Sequence, residues 1–206
     1  MTRRSVFVTG TDTAVGKTRV ATGLIRHLRS AGVRAVGLKP VECGGRDDSN
    51  AILEACGEPD LSLDAVNPLW FPEPLAPAAM PDAPAIDFDR IVACFLNLQD
   101  RFETVVVEGA GGWLVPLDDR RTVADLASAL GLPVVVVAAN RLGVLNHSLL
   151  TIRAIESSGL ECAALYLNDL GGEGDRSVKT NGPVLRRLLP GLPVVESEIV
   201  ALAESL

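Results

Sequence analysis

Apolar and polar positions alternate along this chain in two rhythms. Short, almost continuous runs of Val, Leu, Ala and Ile recur between stretches whose apolar residues keep helical spacing. SVFVTG (5–10) predicts a first strand, followed by a helix from about Gly16 to Ala31 that stops at Gly32. AVGLKPV (35–41) predicts a second strand, and SNAILEACG a short helix closed by Gly57. From Glu58 to Ile86 the chain carries most of its prolines, which predicts an ordered excursion outside regular structure. Alternation then resumes. A helix near 87–101, the strand ETVVVEG (103–109) and a helix near 121–130 lead to the strand LPVVVVAAN (132–140). A helix over 143–158, the strand LECAALYLND (160–169), a helix near 182–189, the short strand PVVE and a terminal helix follow.

Strands this uniformly apolar are buried on both faces, and strand–helix repeats feed right-handed parallel crossovers. The expected fold is a three-layer α/β/α domain with a mostly parallel sheet, one domain over residues 1–206. Aromatic residues make up only 4%, so the core is aliphatic.

The net charge is −7, from 19 Lys and Arg against 26 Asp and Glu. Such a surface disfavours nucleic acid and anionic membrane, so an anionic ligand must be held by local groups. The four cysteines, Cys43, Cys56, Cys94 and Cys162, form no C-x-x-C pair and read as free thiols, which argues against zinc. No secretory leader and no bilayer-length apolar run is evident, and a cytoplasmic location is the expectation.

One segment carries chemistry at once. In GTDTAVGKT (10–18) the tripeptide G-K-T follows a strand and opens a helix, the setting of a phosphate-binding loop of the P-loop NTPase type. Gly16 permits close backbone approach, Lys17 brings positive charge to β- and γ-phosphates, and Thr18 offers a hydroxyl to Mg²⁺. The leading glycine is Gly10, one position earlier than the usual spacing, so a chance strand–turn–helix is the competing reading. Glu108 ends an apolar strand where open α/β sheets bind ligands, and the glycines after it let backbone approach an anion. A carboxylate there needs a partner or a metal. Lys39 closes the second strand at the same edge. It is a snorkelling lysine or a lysine delivered beside phosphate, and the residues alone leave both open.

Several segments together resemble dethiobiotin synthetase, the ATP-dependent family that closes the ureido ring in biotin synthesis. They are VTGTDTAVGKT (8–18), GLKPVECG (37–44), AVNPLWFPEPLAP (65–77), VVEGAGGWLVPL (106–117), LGVLNHSLLT (142–151) and LND (167–169), in family order. The family's phosphate loop shares the displaced glycine. The resemblance implies a ligase that joins CO₂ to 7,8-diaminopelargonate through a carbamate and a carbamoyl-phosphate anhydride, with ATP as co-substrate and Mg²⁺ as cofactor. It also implies a homodimer with shared sites.

By the same resemblance, Ala14, Val15, Gly16, Lys17, Thr18 and Arg19 wrap the ATP phosphates. Thr18, Asp48 and Glu108 bind Mg²⁺, with Asp47 the alternative to Asp48. Lys39 is the main catalytic residue, aided by Lys17 and Thr11, and Thr11, Lys39, Cys43 and Asn146 contact the substrate. Glu108, Gly109, Ala110 and Gly111 line the nucleotide–substrate edge. Asn168 and Asp169 lie beside the adenine, with Val200, Ala201 and Leu202 completing the nucleotide site. His147 reads as structural. Three places depart from the family pattern: Ala14 stands where a polar residue is common, Cys43 replaces Ser or Thr, and SEIVALAE replaces GEIPWLAE.

A regulatory ATPase of the partitioning or division-site class is the alternative. Those loops carry an early second lysine, and Asp12 occupies that place here. An amidoligase of the cobyrinate type usually adds a glutaminase domain, for which no residues remain. Lys39 and the EGAGGW segment argue against a non-enzymatic nucleotide-binding module.

Overall fold

Val6, Phe7 and Val8 are almost fully shielded from solvent, as a strand covered on both faces must be. They open β1 (Val6–Gly10) in a computed structural model that describes residues 5–80, 84–171 and 175–206. The other strands are β2 (Ala35–Leu38), β3 (Val41–Cys43), β4 (Leu69–Phe71), β5 (Thr104–Gly112), β6 (Val134–Ala139), β7 (Cys162–Asn168) and β8 (Val194–Glu196). Six of them form one sheet in the order β2-β5-β1-β6-β7-β8, every neighbouring pair parallel.

Eight α-helices lie among the described residues: α1 (Lys17–Ser30), α2 (Asp47–Cys56), α3 (Leu63–Val66), α4 (Phe88–Arg101), α5 (Val123–Leu130), α6 (Val144–Ser157), α7 (Val178–Leu188) and α8 (Ile199–Ser205). On one face α1 packs against α2 and α8; on the other α4 meets α5 and α6 meets α7. This is the expected three-layer arrangement.

The chain runs from β1 out to β2, returns through β5, then passes β1 to reach β6, β7 and β8. The direction of winding therefore reverses at β1, and the carboxyl end of that strand is where such sheets leave a ligand crevice.

Three elements differ from the sequence reading for identifiable reasons. The strand expected over 35–41 is broken after Leu38, because the Lys39 N–H donates to Val66 O (2.7 Å) and Pro40 has no N–H to give. Asn67 holds the break open, its Nδ2 donating to Lys39 O (2.8 Å) and Leu69 O (3.1 Å). Beyond it, β3 pairs with β4 in a separate two-stranded parallel sheet, so the proline-rich excursion contains regular structure after all. Finally, β5 continues past its expected end at Gly109 to Gly112, since Gly112 stays in register with Gly10 across an irregularity in β1. The four cysteines are free thiols, as expected. No helix among the described residues is long and apolar enough to cross a membrane.

Candidate active site

Gly10 ends β1, and the loop to Gly16 turns the chain into α1. Gly16 has φ 95°, in the left-handed region, and a Cβ there would lie 2.1 Å from Asn168 Nδ2. Glycine is therefore required twice, by conformation and by space. Asn168, at the end of β7, donates from Nδ2 to Val15 O (2.9 Å) and accepts from the Arg19 guanidinium (3.3 Å). The phosphate loop is thus clasped from a strand on the far side of β6. Ala14 also has positive φ (57°), a region that disfavours alanine.

A cleft of about 570 Å³ opens beside this loop, between β3, the Pro74–Pro77 segment and the end of β5. Five polar side chains gather in its wall. Thr18 Oγ1 lies 2.7 Å from Asp48 Oδ1 and 2.9 Å from Glu108 Oε1. Lys39 Nζ donates to Glu108 Oε1 (2.6 Å) and Asp48 Oδ2 (2.9 Å) and approaches Gly109 O (3.5 Å). Lys17 Nζ donates to Asp12 O (3.1 Å).

Lys39 is only 3% exposed, which excludes the snorkelling reading. Burial alone would lower its pKa, but Glu108 and Asp48 hold the ammonium above the ordinary lysine range. One cation serves two unequal carboxylates. Burial raises Glu108, which is fully enclosed, above the usual carboxyl range despite Lys39. Asp48 is half-exposed; burial opposes ionisation there too, yet Lys39 draws its carboxyl below the usual range. Lys17 is pushed down to about 8 by burial first and by the Lys39 charge second.

The donor set fits a hard divalent cation. Thr18 Oγ1, Asp48 Oδ1 and Glu108 Oε1 meet at one point, and Glu108 Oε2 is buried with no hydrogen-bond partner. No group of three His, Cys, Asp or Glu side chains suited to a metal occurs among the described residues. Two carboxylates and a hydroxyl leave coordination positions for phosphate and water, as Mg²⁺ prefers.

The similarities of the chain to known proteins fall into place on this geometry. The family model described as AAA domain matches residues 4–197. The ATP-dependent dethiobiotin synthetase BioD of Anaeromyxobacter dehalogenans (strain 2CP-C) is 49% identical over 90% of this chain and 85% of its own. The chain belongs to the dethiobiotin synthetase family. Another such synthetase, from Akkermansia muciniphila, is 39% identical over 96% of this chain and 97% of its own. Among solved structures, the septum site-determining protein MinD from Pyrococcus horikoshii OT3, complexed with Mg-ADP, shares the fold at TM-score 0.58. It covers 100% of this chain and 87% of its own at 15% identity, which carries the architecture alone.

The dethiobiotin synthetase positions expected from the sequence separate clearly in space. Ala14, Gly16, Lys17, Thr18, Lys39, Cys43, Asp48, Glu108, Ala110 and Gly111 do share the main cleft. Val15 faces the core and contributes its carbonyl, while exposed Asp47 stands outside the cleft lining. Thr11 lies in a neighbouring cleft of about 430 Å³ with Trp113, Leu114 and Leu150; Thr13, which the sequence reading passed over, lines both clefts. Asn146 is exposed on α6 and lines neither. Asn168 is buried, its amide engaged at one end by Val15 of the phosphate loop and at the other by Arg19 in the first turn of α1. Asp169 borders a third cleft, of about 640 Å³, between the β6–α6 and β7–α7 connections.

The C-terminal residues expected at the nucleotide divide between core and surface. Leu202 is 0% exposed and packs in the core through α8, so its side chain is unavailable to a nucleotide, whereas Val200 and Ala201 face solvent. A helix of alternating exposure must send one of three neighbours inward. The largest residue missed is Glu42, buried at the cleft wall; its only mark in the sequence is an acid in a short apolar strand.

Proposed function

We propose that this protein catalyses ATP-dependent closure of a ureido ring on 7,8-diaminopelargonate. An amine of the substrate adds to CO₂ and loses a proton, giving a carbamate. A carbamate oxygen attacks the γ-phosphorus of ATP, breaking its bond to the bridging oxygen and releasing ADP. The second amine attacks the carbonyl carbon of the carbamoyl phosphate, the C–O bond to phosphate breaks, the amine nitrogen gives up a proton, and dethiobiotin and phosphate are released. Such phosphoryl transfer relies on positioning and charge neutralisation.

The observation that carries this reading is the buried Lys39 ammonium, held by the Glu108 and Asp48 carboxylates in the wall of the cleft that the phosphate loop also lines. From there it neutralises charge on the carbamate and on the transferring phosphoryl group. Lys17 and the amides at the start of α1 hold the β- and γ-phosphates. Thr18, Asp48 and Glu108 would hold Mg²⁺, which supplies further neutralisation of phosphate oxygens. Thr13 and Cys43 in the wall of the main cleft face the reacting end of the substrate.

A homodimer completes the site in this proposal. Helix α6 has Gly143 at its N-cap, no side-chain cap and no acidic residue in its first turn; the Val144 amide donates to Arg141 O, and the positive end of the helix is suited to a carboxylate. Asn146 and Leu150 lie four residues apart on its exposed face, where a partner would meet them. The regulatory-ATPase alternative has only the shared fold behind it.

The test is phosphate release from ATP and Mg²⁺ with and without the diamine and bicarbonate, following dethiobiotin by mass. Release that requires the diamine and yields dethiobiotin is the expected result, and Lys39→Ala should lower it by about 10²-fold or more. Hydrolysis indifferent to the diamine would reject the proposal.

A further inference from the structure

Helix α2 begins without a local cap: Arg46 occupies the N-cap position and its side chain makes no capping bond. Two amides of the first turn are nonetheless satisfied. Glu42, on β3, reaches across and accepts from Asp48 N (3.0 Å) through Oε1 and from Ser49 N (3.2 Å) through Oε2. The Ser49 hydroxyl donates to the same Oε2. These are the amides that an N-cap side chain normally serves, met here from another element. Glu42 and Ser49 are both buried, so water is no substitute.

The consequence for the site is geometric. Asp48 is the second residue of α2, and its carboxylate is shared by Thr18 and Lys39. Lys39 stands two residues before β3 begins, and Glu42 is the middle residue of that strand. Glu42 therefore ties the backbone of Asp48 to the strand that follows Lys39. On the other side of the turn, Arg46 is fixed separately by Asn67 Oδ1 (3.1 Å) and Asp64 (3.1 Å). The two anchors leave the Gly44–Gly45 turn between them little freedom to move Asp48.

We infer that Glu42 is a positioning residue for the metal–nucleotide site, setting where the Asp48 carboxylate stands relative to Thr18 and Glu108. This rests on the proposal that Asp48 is a metal ligand. Residues that orient a ligand from behind typically change metal affinity by 10–100-fold when altered.

The experiment uses the full chain with ATP and follows Mn²⁺ by electron paramagnetic resonance, as a spectroscopic stand-in for Mg²⁺, beside the melting temperature of each variant. Glu42→Ala and Glu42→Gln are expected to weaken Mn²⁺ binding in the presence of ATP by about 10-fold or more. The gap should persist when binding is referred to folded protein, and the KM for metal–ATP should rise more than that for the diamine. Ser49→Ala, which leaves both amide bonds in place, should have the smaller effect.

A lower melting temperature with unchanged Mn²⁺ affinity per folded molecule would make Glu42 merely structural and overturn the inference. Should the wild-type protein bind no Mn²⁺ with ATP, or Asp48→Asn bind it equally well, the metal-ligand reading itself falls. The two failures are thereby distinguishable.

Discussion

Lys17 is a cation that the folded chain holds away from water and beside a second cation. Its pKa of about 8 lies below the 10.5 of a free lysine, so between these values the unfolded chain holds more protons than the folded one. The stability of the nucleotide-free protein should therefore gain from Lys17 as pH rises from about 8 towards 10.5, with the full penalty present below 8. Replacing Lys17 by Met keeps the stem and removes the charge. The expected result at pH 7 is a melting temperature several degrees higher, from up to about 3 kcal/mol of relieved desolvation. Stabilisation by added ATP should vanish in the same variant. Thermal melts of both proteins at pH 7 and pH 10 check this; an equal gain at both values would show that the charge is not the cause.

The residues most visible in the sequence were those whose chemistry depends on a local motif, such as Lys17 and Thr18. Lys39 remained open to two readings because only burial separates a snorkelling lysine from an enclosed one. Glu42 was invisible for a different reason: its partners begin a helix across a turn, and no periodicity records such a bond. Thr11 and Thr13 differ only in which way a loop turns, which spacing does not determine.

Among elements, the buried strands were the most legible, since a strand covered on both faces has to be apolar throughout. The three-residue strands β3 and β4 were not, because each owes its existence to the other. The strand expected to end at Gly109 runs on to Gly112, which pairs with Gly10, while Gly111 between them takes a left-handed φ of 63°. The connection from β1 to α1 offers the sharpest test at this scale. Gly16→Ala must adopt a left-handed conformation, costing about 1–2 kcal/mol, and must also push Asn168 aside. We expect ATP affinity to fall at least about 10-fold while far-ultraviolet circular dichroism stays unchanged. A variant that binds ATP normally would mean that the loop does not need the clasp.

At the scale of the molecule, a net charge of −7 contrasts with the two buried lysines gathered at the switch in winding at β1. The apolar residues left outside are informative. Leu114 is 64% exposed and Leu150 58%, and they line one cleft together with Thr11. If α6 joins two copies, Leu150→Glu should shift the protein from dimer to monomer by sedimentation velocity and raise the KM for the diamine, leaving ATP binding to the monomer intact. A wild-type protein that sediments as a monomer at working concentration would dismiss the shared site.

The hold of Asn168 on Val15 spans 153 positions of sequence. A ribosome delivers residues in order, at about 5–20 per second, so the phosphate loop emerges roughly ten seconds or more before its clasp. Throughout that interval a nascent chain carries the complete nucleotide motif without the contact that fixes its shape. Nucleotide is thus a late arrival in the life of this protein, and a fragment ending before β7 should display the motif yet ignore ATP.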